Sequence, residues 1–162
     1  MTNLFRRAGA LAAVSAALIG GAVLGTSPAS AATSTDASYE AKVIQLTNEQ
    51  RAKNGCATVR TDSRLTTAAR VHSVDMVQKN YFSHTGSDGS TFVTRAKLSG
   101  YTSSIGENIA WGYRPPEAVI TAWIYSSGHG ANILNCKAKA VGVGLARKSD
   151  GTPYWTQVFG SA

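Results

Sequence analysis

Residues 141–159, VGVGLARKSDGTPYWTQVF, decide the fold class of this chain. Apolar side chains alternate with small or polar ones in 141–146 and again in 154–159, and the intervening SDGT is typical of a turn. The two segments are therefore predicted to form a β-hairpin. In the first segment Gly142 and Gly144 share one face, where they permit the close approach of another backbone.

Helical patterns dominate the chain before this hairpin. Apolar residues recur there at spacings of three and four, and Asp62 is a suitable N-cap for one of these segments. The predicted helices span 39–54, 62–80, 91–99 and 115–128, and a further strand spans 105–113. Helices and strands do not alternate as repeating units, so the predicted fold class is α+β.

The N-terminus has the pattern of a secretory signal. Arg6 and Arg7 precede an apolar, uncharged run, and Ala-Ser-Ala at 29–31 is a suitable cleavage site. An uncleaved membrane anchor is the alternative, but the apolar run is at the short limit for crossing a bilayer. We therefore predict a signal peptide at 1–31.

The predicted processing leaves a secreted, extracellular protein without a membrane span. Small polar residues at 32–38 indicate a flexible leader. The remaining chain, 39–162, is long enough for one domain, which we expect to act as a monomer.

The charge of the chain favours no nucleic-acid partner. The formal net charge is +7 at pH 7, and loss of Arg6 and Arg7 with the signal would leave +5. Nucleic-acid binders more often carry a clustered basic stripe, whereas the basic residues here are scattered. The positive charge is therefore interpreted mainly as a contribution to solubility.

Cys56 and Cys136 are the two cysteines of the sequence. In an oxidising compartment, pairing is the simplest interpretation. A catalytic thiol is the alternative, but no basic neighbour of Cys56 would lower a thiol pKa. We predict a structural disulfide that holds the segment after His129 against the end of the first helix.

The three histidines and one glutamate are the candidate polar residues. His72 lies on the apolar stripe of the second predicted helix and is interpreted as a buried structural residue. His84 lies on a loop, Glu107 lies within an otherwise apolar strand, and His129 follows a predicted helix end. Imidazoles and a carboxylate suit either a Zn²⁺ site or acid–base chemistry, but their spacing matches no local motif.

Several ordered motifs give the chain a family resemblance. They are SH at 83–84, GENIA at 106–110, WIYSSGH at 123–129 with NIL after it, and YWTQVFG at 154–160. In this order they resemble the bacterial secreted branch of the CAP superfamily, also called SCP-like. That superfamily includes cysteine-rich secretory proteins, insect venom antigen 5 and plant pathogenesis-related 1 proteins. The resemblance implies a CAP-like α-β-α sandwich, with a small antiparallel sheet between helical layers.

The same resemblance implies a cleft with a His/Glu/Glu/His tetrad. His84 and Glu107 match the first histidine and the first glutamate. Ser126 stands where the eukaryotic pattern has the second glutamate, and Tyr154 stands where it has the second histidine. His129 could fill the vacant corner, so that His84, Glu107 and His129 would bind a divalent metal such as Zn²⁺ weakly. The alternative is that His129 caps the C-terminus of the helix before it.

Three functions follow from these patterns. The first is an extracellular binding or interaction module for a lipid, glycan or protein ligand, with no catalysis. The second is a metal-assisted hydrolase of peptides or cell-wall polymers, with Glu107 as the catalytic base. The third is a structural role, in which Glu107 and Asn108 orient loops.

Overall fold

The computed structural model describes residues 34–162, and within that part the chain forms five helices and four strands. The elements are α1 (Ser34–Lys53), β1 (Arg60–Thr61), α2 (Ser63–Gln78), α3 (Phe92–Leu98), β2 (Ser104–Trp111), α4 (Pro116–Tyr125), α5 (Ser127–Ile133), β3 (Ala140–Arg147) and β4 (Pro153–Gly160). The predicted signal peptide lies outside the described residues. Within them, no helix is long and apolar enough to cross a membrane.

The predicted hairpin is confirmed as β3 and β4, which pair antiparallel at the centre of a four-stranded sheet. The strand order is β1-β3-β4-β2. The predicted strand at 105–113 is confirmed as β2, which pairs antiparallel with β4. The short strand β1 pairs parallel with β3. Sequence analysis missed β1 because two residues are too few to show a period.

Helices cover both faces of the sheet, which confirms the predicted α+β sandwich. On one face α1, α4 and α5 bury a core with β3 and β4 that includes Val43, Val119, Trp123, Ile133, Val143, Trp155 and Phe159. On the other face α2 and α3 pack with a smaller cluster that includes Leu65, Ala69, Ala96, Tyr101 and Val158. The alternation of β3 and β4 places large side chains towards the first group of helices.

The glycines of β3 allow a close backbone approach, as the sequence predicts, and the structure identifies the approaching element as α2. A Cβ added at Gly142 would lie 2.1 Å from the backbone of Leu65, and one at Gly144 would lie 2.3 Å from the amide nitrogen of Arg70. Both distances are far below van der Waals contact. Any side chain at either position would therefore push α2 away from the sheet.

The predicted disulfide between Cys56 and Cys136 is confirmed. It joins the chain just after α1 to the chain just after α5, across 80 residues of sequence. It therefore fixes the end of α5, the helix that carries His129.

The buried side chain of Arg51 reinforces this connection. Arg51 is 0% exposed, and its guanidinium donates hydrogen bonds to four backbone carbonyls around the disulfide. The acceptors are Ala57 at 2.9 Å, Ile133 at 2.8 Å, Asn135 at 2.9 Å and Ala138 at 3.0 Å. Burial lowers the pKa of Arg51 below its ordinary value, because the buried charge loses hydration that the four carbonyls must offset.

The boundaries of two predicted elements were wrong. Residues 34–38 of the predicted flexible leader belong to α1, where Asp36 accepts a 2.8 Å hydrogen bond from Arg147, a partner 111 residues away. The helix predicted to end at Gly128 instead ends at Tyr125, and α5 follows. Two glycines concealed α5 in the sequence, although Gly130 is needed because a Cβ there would lie 2.9 Å from the carbonyl oxygen of Ile124.

Candidate functional site

The candidate site is built around Glu107, which β2 holds beneath the protein surface. Its side chain is only 1% exposed, and both carboxylate oxygens have partners. Oε1 lies 2.8 Å from Nδ1 of His84, and Oε2 accepts a 2.7 Å hydrogen bond from Nη2 of Arg95. A buried carboxylate without such partners would be strongly destabilising. Glu107 is therefore buried with both oxygens paired, one to His84 and the other to Arg95.

Arg95 is the partner of Glu107 that was not predicted from the sequence. It lies on α3, is buried, and also donates to the carbonyl oxygens of His84 at 3.0 Å and Ser90 at 2.8 Å. Arg95 thus holds both the Glu107 carboxylate and the loop that carries His84. Arg95 could not be identified from the sequence, because a basic residue on a short helix normally lies on a solvent-exposed face. No local motif links Arg95 to Glu107.

His84 presents one ring edge to Glu107 and the other to solvent. Its side chain is 54% exposed although its partner is buried. Because a carboxylate oxygen accepts hydrogen bonds, Nδ1 of the neutral ring carries the hydrogen. The second nitrogen, Nε2, is then left as a hydrogen-bond acceptor. Glu107 therefore sets what His84 can offer to a ligand.

His72 is buried, as predicted, and it supports the loop before His84. Its Nε2 lies 2.9 Å from the carbonyl oxygen of Ser83 and donates to it. The pKa of His72 is lowered, chiefly because burial disfavours the charged ring. His72 is a positioning residue, since it holds the backbone next to His84 without lining the cleft.

His129 reaches the same region from α5. The pKa of His129 is lowered, first by partial burial and then by the charge of His84, and both side chains line the same cleft. His129 lies in the first turn of α5. The helix before it, α4, ends at Tyr125 with Ser126 as its C-cap, and a cap interaction of His129 with that helix end stays a prediction.

A network of amide side chains holds α5 against the sheet. Asn108 donates to the carbonyl oxygen of His129 at 3.2 Å and to Oε1 of Gln157 at 3.1 Å. Asn132 donates to Oδ1 of Asn108 at 2.9 Å, and Gln157 donates to Oγ1 of Thr47 at 2.8 Å. The network links β2, α5, β4 and α1, so Asn108 does orient the segment that carries His129.

His84 and His129 line one open cleft of about 630 Å³. Its walls are Phe82, Ser83, His84, Ile109, Ala110, Trp111, Tyr113, Ala122, Trp123, Ser126 and His129. Glu107 lies behind His84 and is absent from these walls. Among the described residues, the lining therefore contains neutral hydroxyls, imidazoles and apolar groups, with no aspartate, glutamate, lysine or arginine.

Tyr154 supports an aromatic rim beside this cleft. The rings of Phe82 and Trp111 each lie with their centroids 6.4 Å from that of Tyr154. Tyr154 itself is buried, whereas Phe82 and Trp111 are each at least half exposed. The residue that stands in place of the second tetrad histidine therefore holds exposed aromatic rings in position.

The three predicted zinc ligands differ in their surroundings. Both carboxylate oxygens of Glu107 are hydrogen-bonded, one of them to the guanidinium of Arg95. The imidazoles of His84 and His129 therefore remain as the more accessible candidate metal ligands. Within residues 34–162, no group of three histidine, cysteine, aspartate or glutamate side chains is arranged to hold a metal ion. The Zn²⁺ site of His84, Glu107 and His129 stays a prediction.

The layered fold and the His84–Glu107 cleft define the chain as an SCP-type domain. The model of the CAP family, described as the cysteine-rich secretory protein family, matches residues 44–159. The chain therefore belongs to this family, as the ordered motifs predict.

Two proteins of Bacillus subtilis (strain 168) are similar in sequence. The uncharacterized protein YkwD is 39% identical over 135 residues, which are 83% of this chain and 51% of that protein. The uncharacterized membrane protein YlbC is 35% identical over 122 residues, which are 74% of this chain and 34% of that protein. The chain thus spans about half or less of the length of these relatives.

Two solved structures are similar in fold. An extracellular protein containing an SCP domain from Bacillus anthracis str. Ames is 29% identical with a TM-score of 0.73, and the match covers 78% of this chain and 41% of that one. An outer surface protein from Borrelia burgdorferi has a TM-score of 0.70 at 20% identity, with 80% of this chain and 95% of that one covered. The second similarity concerns the fold alone.

Proposed function

We propose that this chain is an extracellular binding module and that the cleft between His84 and His129 is its ligand site. The observation that carries the proposal is that Glu107, the one carboxylate at the site, is held internally by Arg95 and His84. A general base must reach its substrate or a water molecule, and a metal ligand must reach the ion, whereas the Glu107 side chain is only 1% exposed. The geometry favours binding over hydrolysis.

The shape and composition of the cleft support this function. A volume of about 630 Å³ lies within the range of small-ligand sites, which typically combine apolar or aromatic walls with a few polar groups. Trp111 and Tyr113 are exposed. Large apolar side chains at a surface are enriched where ligands or partners bind. The ligand classes to consider are a lipid, a glycan and a protein segment.

Extracellular localisation is part of the same proposal. The signal pattern at 1–31, the disulfide between Cys56 and Cys136 and the similarity to an extracellular SCP-domain protein support it. Mass spectrometry of the protein in culture medium tests it directly. We expect an N-terminus at Ala32, and retention of the full 162-residue chain in the membrane fraction would contradict it.

The binding function can be tested by nuclear magnetic resonance with three probes: lysophosphatidylcholine, tetra-N-acetylchitotetraose and acetyl-tetra-alanine-amide. We expect at least one probe to cause saturable shifts at Trp111 and Ser126 in the wild type and much weaker ones in Trp111→Ala. Tyr125→Ala is the matched control, because Tyr125 is 87% exposed and does not line the cleft. Failure of all three probes to shift the cleft residues would contradict the proposal.

The same mixtures test the hydrolase alternative. Mass spectrometry would detect cleavage of the peptide or the oligosaccharide with and without added Zn²⁺. Cleavage that disappears in Glu107→Gln would overturn the binding-module proposal in favour of an enzyme.

Zinc binding is tested separately by calorimetry on the wild type, His84→Ala and His129→Ala. Two imidazoles alone should give weak binding that either substitution removes. Equal heats for all three proteins would end the prediction of a Zn²⁺ site at these residues.

A further inference from the structure

The side chains that line the cleft limit the chemical class of ligand that it can bind. This inference rests on the proposed binding function, because it concerns the same cavity. Three features of the cleft are relevant: the charge of its walls, the state of the neighbouring strand edge, and the arrangement of its aromatic and polar side chains.

The walls favour a neutral ligand. The formal net charge of the chain is +7, yet the described cleft lining contains no aspartate, glutamate, lysine or arginine. The two charges behind His84, on Glu107 and Arg95, are buried and bonded to each other at 2.7 Å. A ligand with a carboxylate or phosphate group would therefore find no charged side chain on these walls to pair with.

The edge of the sheet beside the cleft disfavours an extended peptide. β2 is the outermost strand of the sheet, and a peptide can normally add to such an edge through backbone hydrogen bonds. Here the carbonyl oxygen of Glu107 accepts from Asn132 at 3.0 Å, and that of Ile109 accepts from Nε1 of Trp123 at 3.0 Å. These edge acceptors are already used by α4 and α5. Recognition must therefore rely on side chains.

The side chains of the cleft combine flat apolar surfaces with hydroxyl and imidazole groups. Trp111 is 54% exposed and is held by Tyr154, so one face can stack on a ring of similar size. Ser83 and Ser126 supply hydroxyls to the lining. His84 supplies Nε2 as an acceptor, because Glu107 fixes the hydrogen on Nδ1.

We propose that the cleft binds a neutral, hydroxyl-rich ring of the pyranose class, stacked on Trp111 with a ring hydroxyl donating to Nε2 of His84. A pyranose has an apolar face of C–H groups and an equatorial set of hydroxyls, which match the rim and the polar walls respectively. The proposed contacts with the ring need no metal ion, because they involve only the Trp111 ring and Nε2 of His84.

The test is an NMR titration of the protein with tetra-N-acetylchitotetraose in the presence of a chelator. Acetyl-tetra-alanine-amide serves as a neutral probe without hydroxyl groups. We expect saturable shifts with the oligosaccharide at Trp111, His84 and Ser126, and none with the peptide. Trp111→Ala should weaken binding about tenfold, as expected for the loss of one aromatic contact.

His84→Phe tests the hydrogen bond, because it keeps a flat ring and removes the acceptor. We expect weaker oligosaccharide binding, while Tyr125→Ala should bind as the wild type does. Since His84→Phe also removes a partner of Glu107, its amide spectrum must first show the native fold. Trp111→Ala provides an independent test, because the Trp111 side chain is 54% exposed and is not bonded to Glu107.

Three results would overturn the inference. They are no shifts with the oligosaccharide, equal shifts in the wild type and Trp111→Ala, and binding that the chelator abolishes. Shifts with the peptide or with lysophosphatidylcholine but not with the oligosaccharide would also overturn it, while the proposed binding function would survive.

Discussion

Arg51 and Arg95 are both buried, but their surroundings differ. Arg51 donates to four backbone carbonyls beside the disulfide between Cys56 and Cys136. Arg95 donates to the carboxylate of Glu107, which is in turn bonded to a half-exposed His84. At the Arg51 end of the domain, the hydrogen bonds of Arg51 terminate at backbone carbonyls, whereas at the Arg95 end those of Arg95 connect through Glu107 to His84, which faces solvent.

Under the proposed binding function, this difference separates the part of the domain that mainly supports stability from the part that supports binding. Carbonyl partners make Arg51 part of the packed interior, with no group left for a ligand. Glu107, the carboxylate partner of Arg95, orients His84 through Nδ1, and Nε2 of His84 remains available to a ligand. We therefore expect substitutions at the Arg51 end to affect mainly stability and substitutions at the Arg95 end to affect both stability and binding.

The disulfide should give the largest effect. Replacing both Cys56 and Cys136 by serine removes a cross-link over 80 residues and should lower the free energy of unfolding by about 4 kcal/mol in the chain-entropy model. Denaturant unfolding of the wild type and the double variant measures this difference. An unchanged midpoint would mean that the Arg51 end is held by its other contacts alone.

Arg51→Met should have the next largest effect, about 3 kcal/mol, because it leaves several buried carbonyls without donors. Arg51→Lys is the matched control, since it keeps the charge but cannot fork to four acceptors. We expect the lysine variant to unfold between the methionine variant and the wild type in urea. A methionine variant as stable as the wild type, or more stable, would show that desolvation of Arg51 outweighs its hydrogen bonds.

Glu107→Gln should lower the free energy of unfolding by about 2 kcal/mol, because the buried Arg95 loses its counter-charge. His84→Ala should have a smaller effect, less than about 1 kcal/mol, since His84 is half exposed and its pair with Glu107 is only partly shielded. Thermal unfolding of both variants measures the difference. If His84→Ala is the more destabilising, the polar cluster is primarily a structural element.

The smallest effect should be a pH dependence from His72. Burial lowers the pKa of His72 in the folded state, so the unfolded state binds the proton more readily. Stability should therefore be complete above about pH 6.5, the ordinary value for histidine, and should decrease as the pH falls below it. His72→Gln should show a weaker decrease in melting temperature between pH 7.5 and 5.5, and an equal decrease would assign the effect to other groups.

The sequence was sufficient to predict the parts of the fold that depend on local patterns. The alternation at 141–159 predicted the hairpin, and Gly142 and Gly144 predicted the close approach of another backbone, which the structure identifies as that of α2. The two cysteines predicted the disulfide because the N-terminal pattern implied an oxidising environment. Each of these features follows from neighbouring residues or from composition.

The partner of Glu107 could not be predicted in the same way. The sequence required a buried carboxylate to be paired, but it did not identify Arg95, because the contact depends on how α3 packs against β2. His129 illustrates the same limit. Its place on the cleft depends on α5, which two glycines concealed, and on Asn108 and Asn132, which hold α5 to the sheet.

The departures from the tetrad pattern have a consistent structural explanation. Ser126 places a hydroxyl in the cleft, and Tyr154 holds the rings of Phe82 and Trp111. Both positions carry an uncharged side chain where the pattern has a charged or metal-ligating one, which is consistent with the proposed uncharged ligand. The sequence showed that these positions differ from the pattern, and the structure shows what the new side chains contact.

The central claim is that Glu107, held by Arg95, fixes the orientation and the hydrogen of His84. Nitrogen-15 NMR of the imidazole above pH 8 tests it most directly, because the two ring nitrogens give different signals with and without hydrogen. The account predicts that His84 carries its hydrogen on Nδ1 and that Glu107→Ala abolishes this preference. A ring with its hydrogen on Nε2, or the same signals in both proteins, would contradict it.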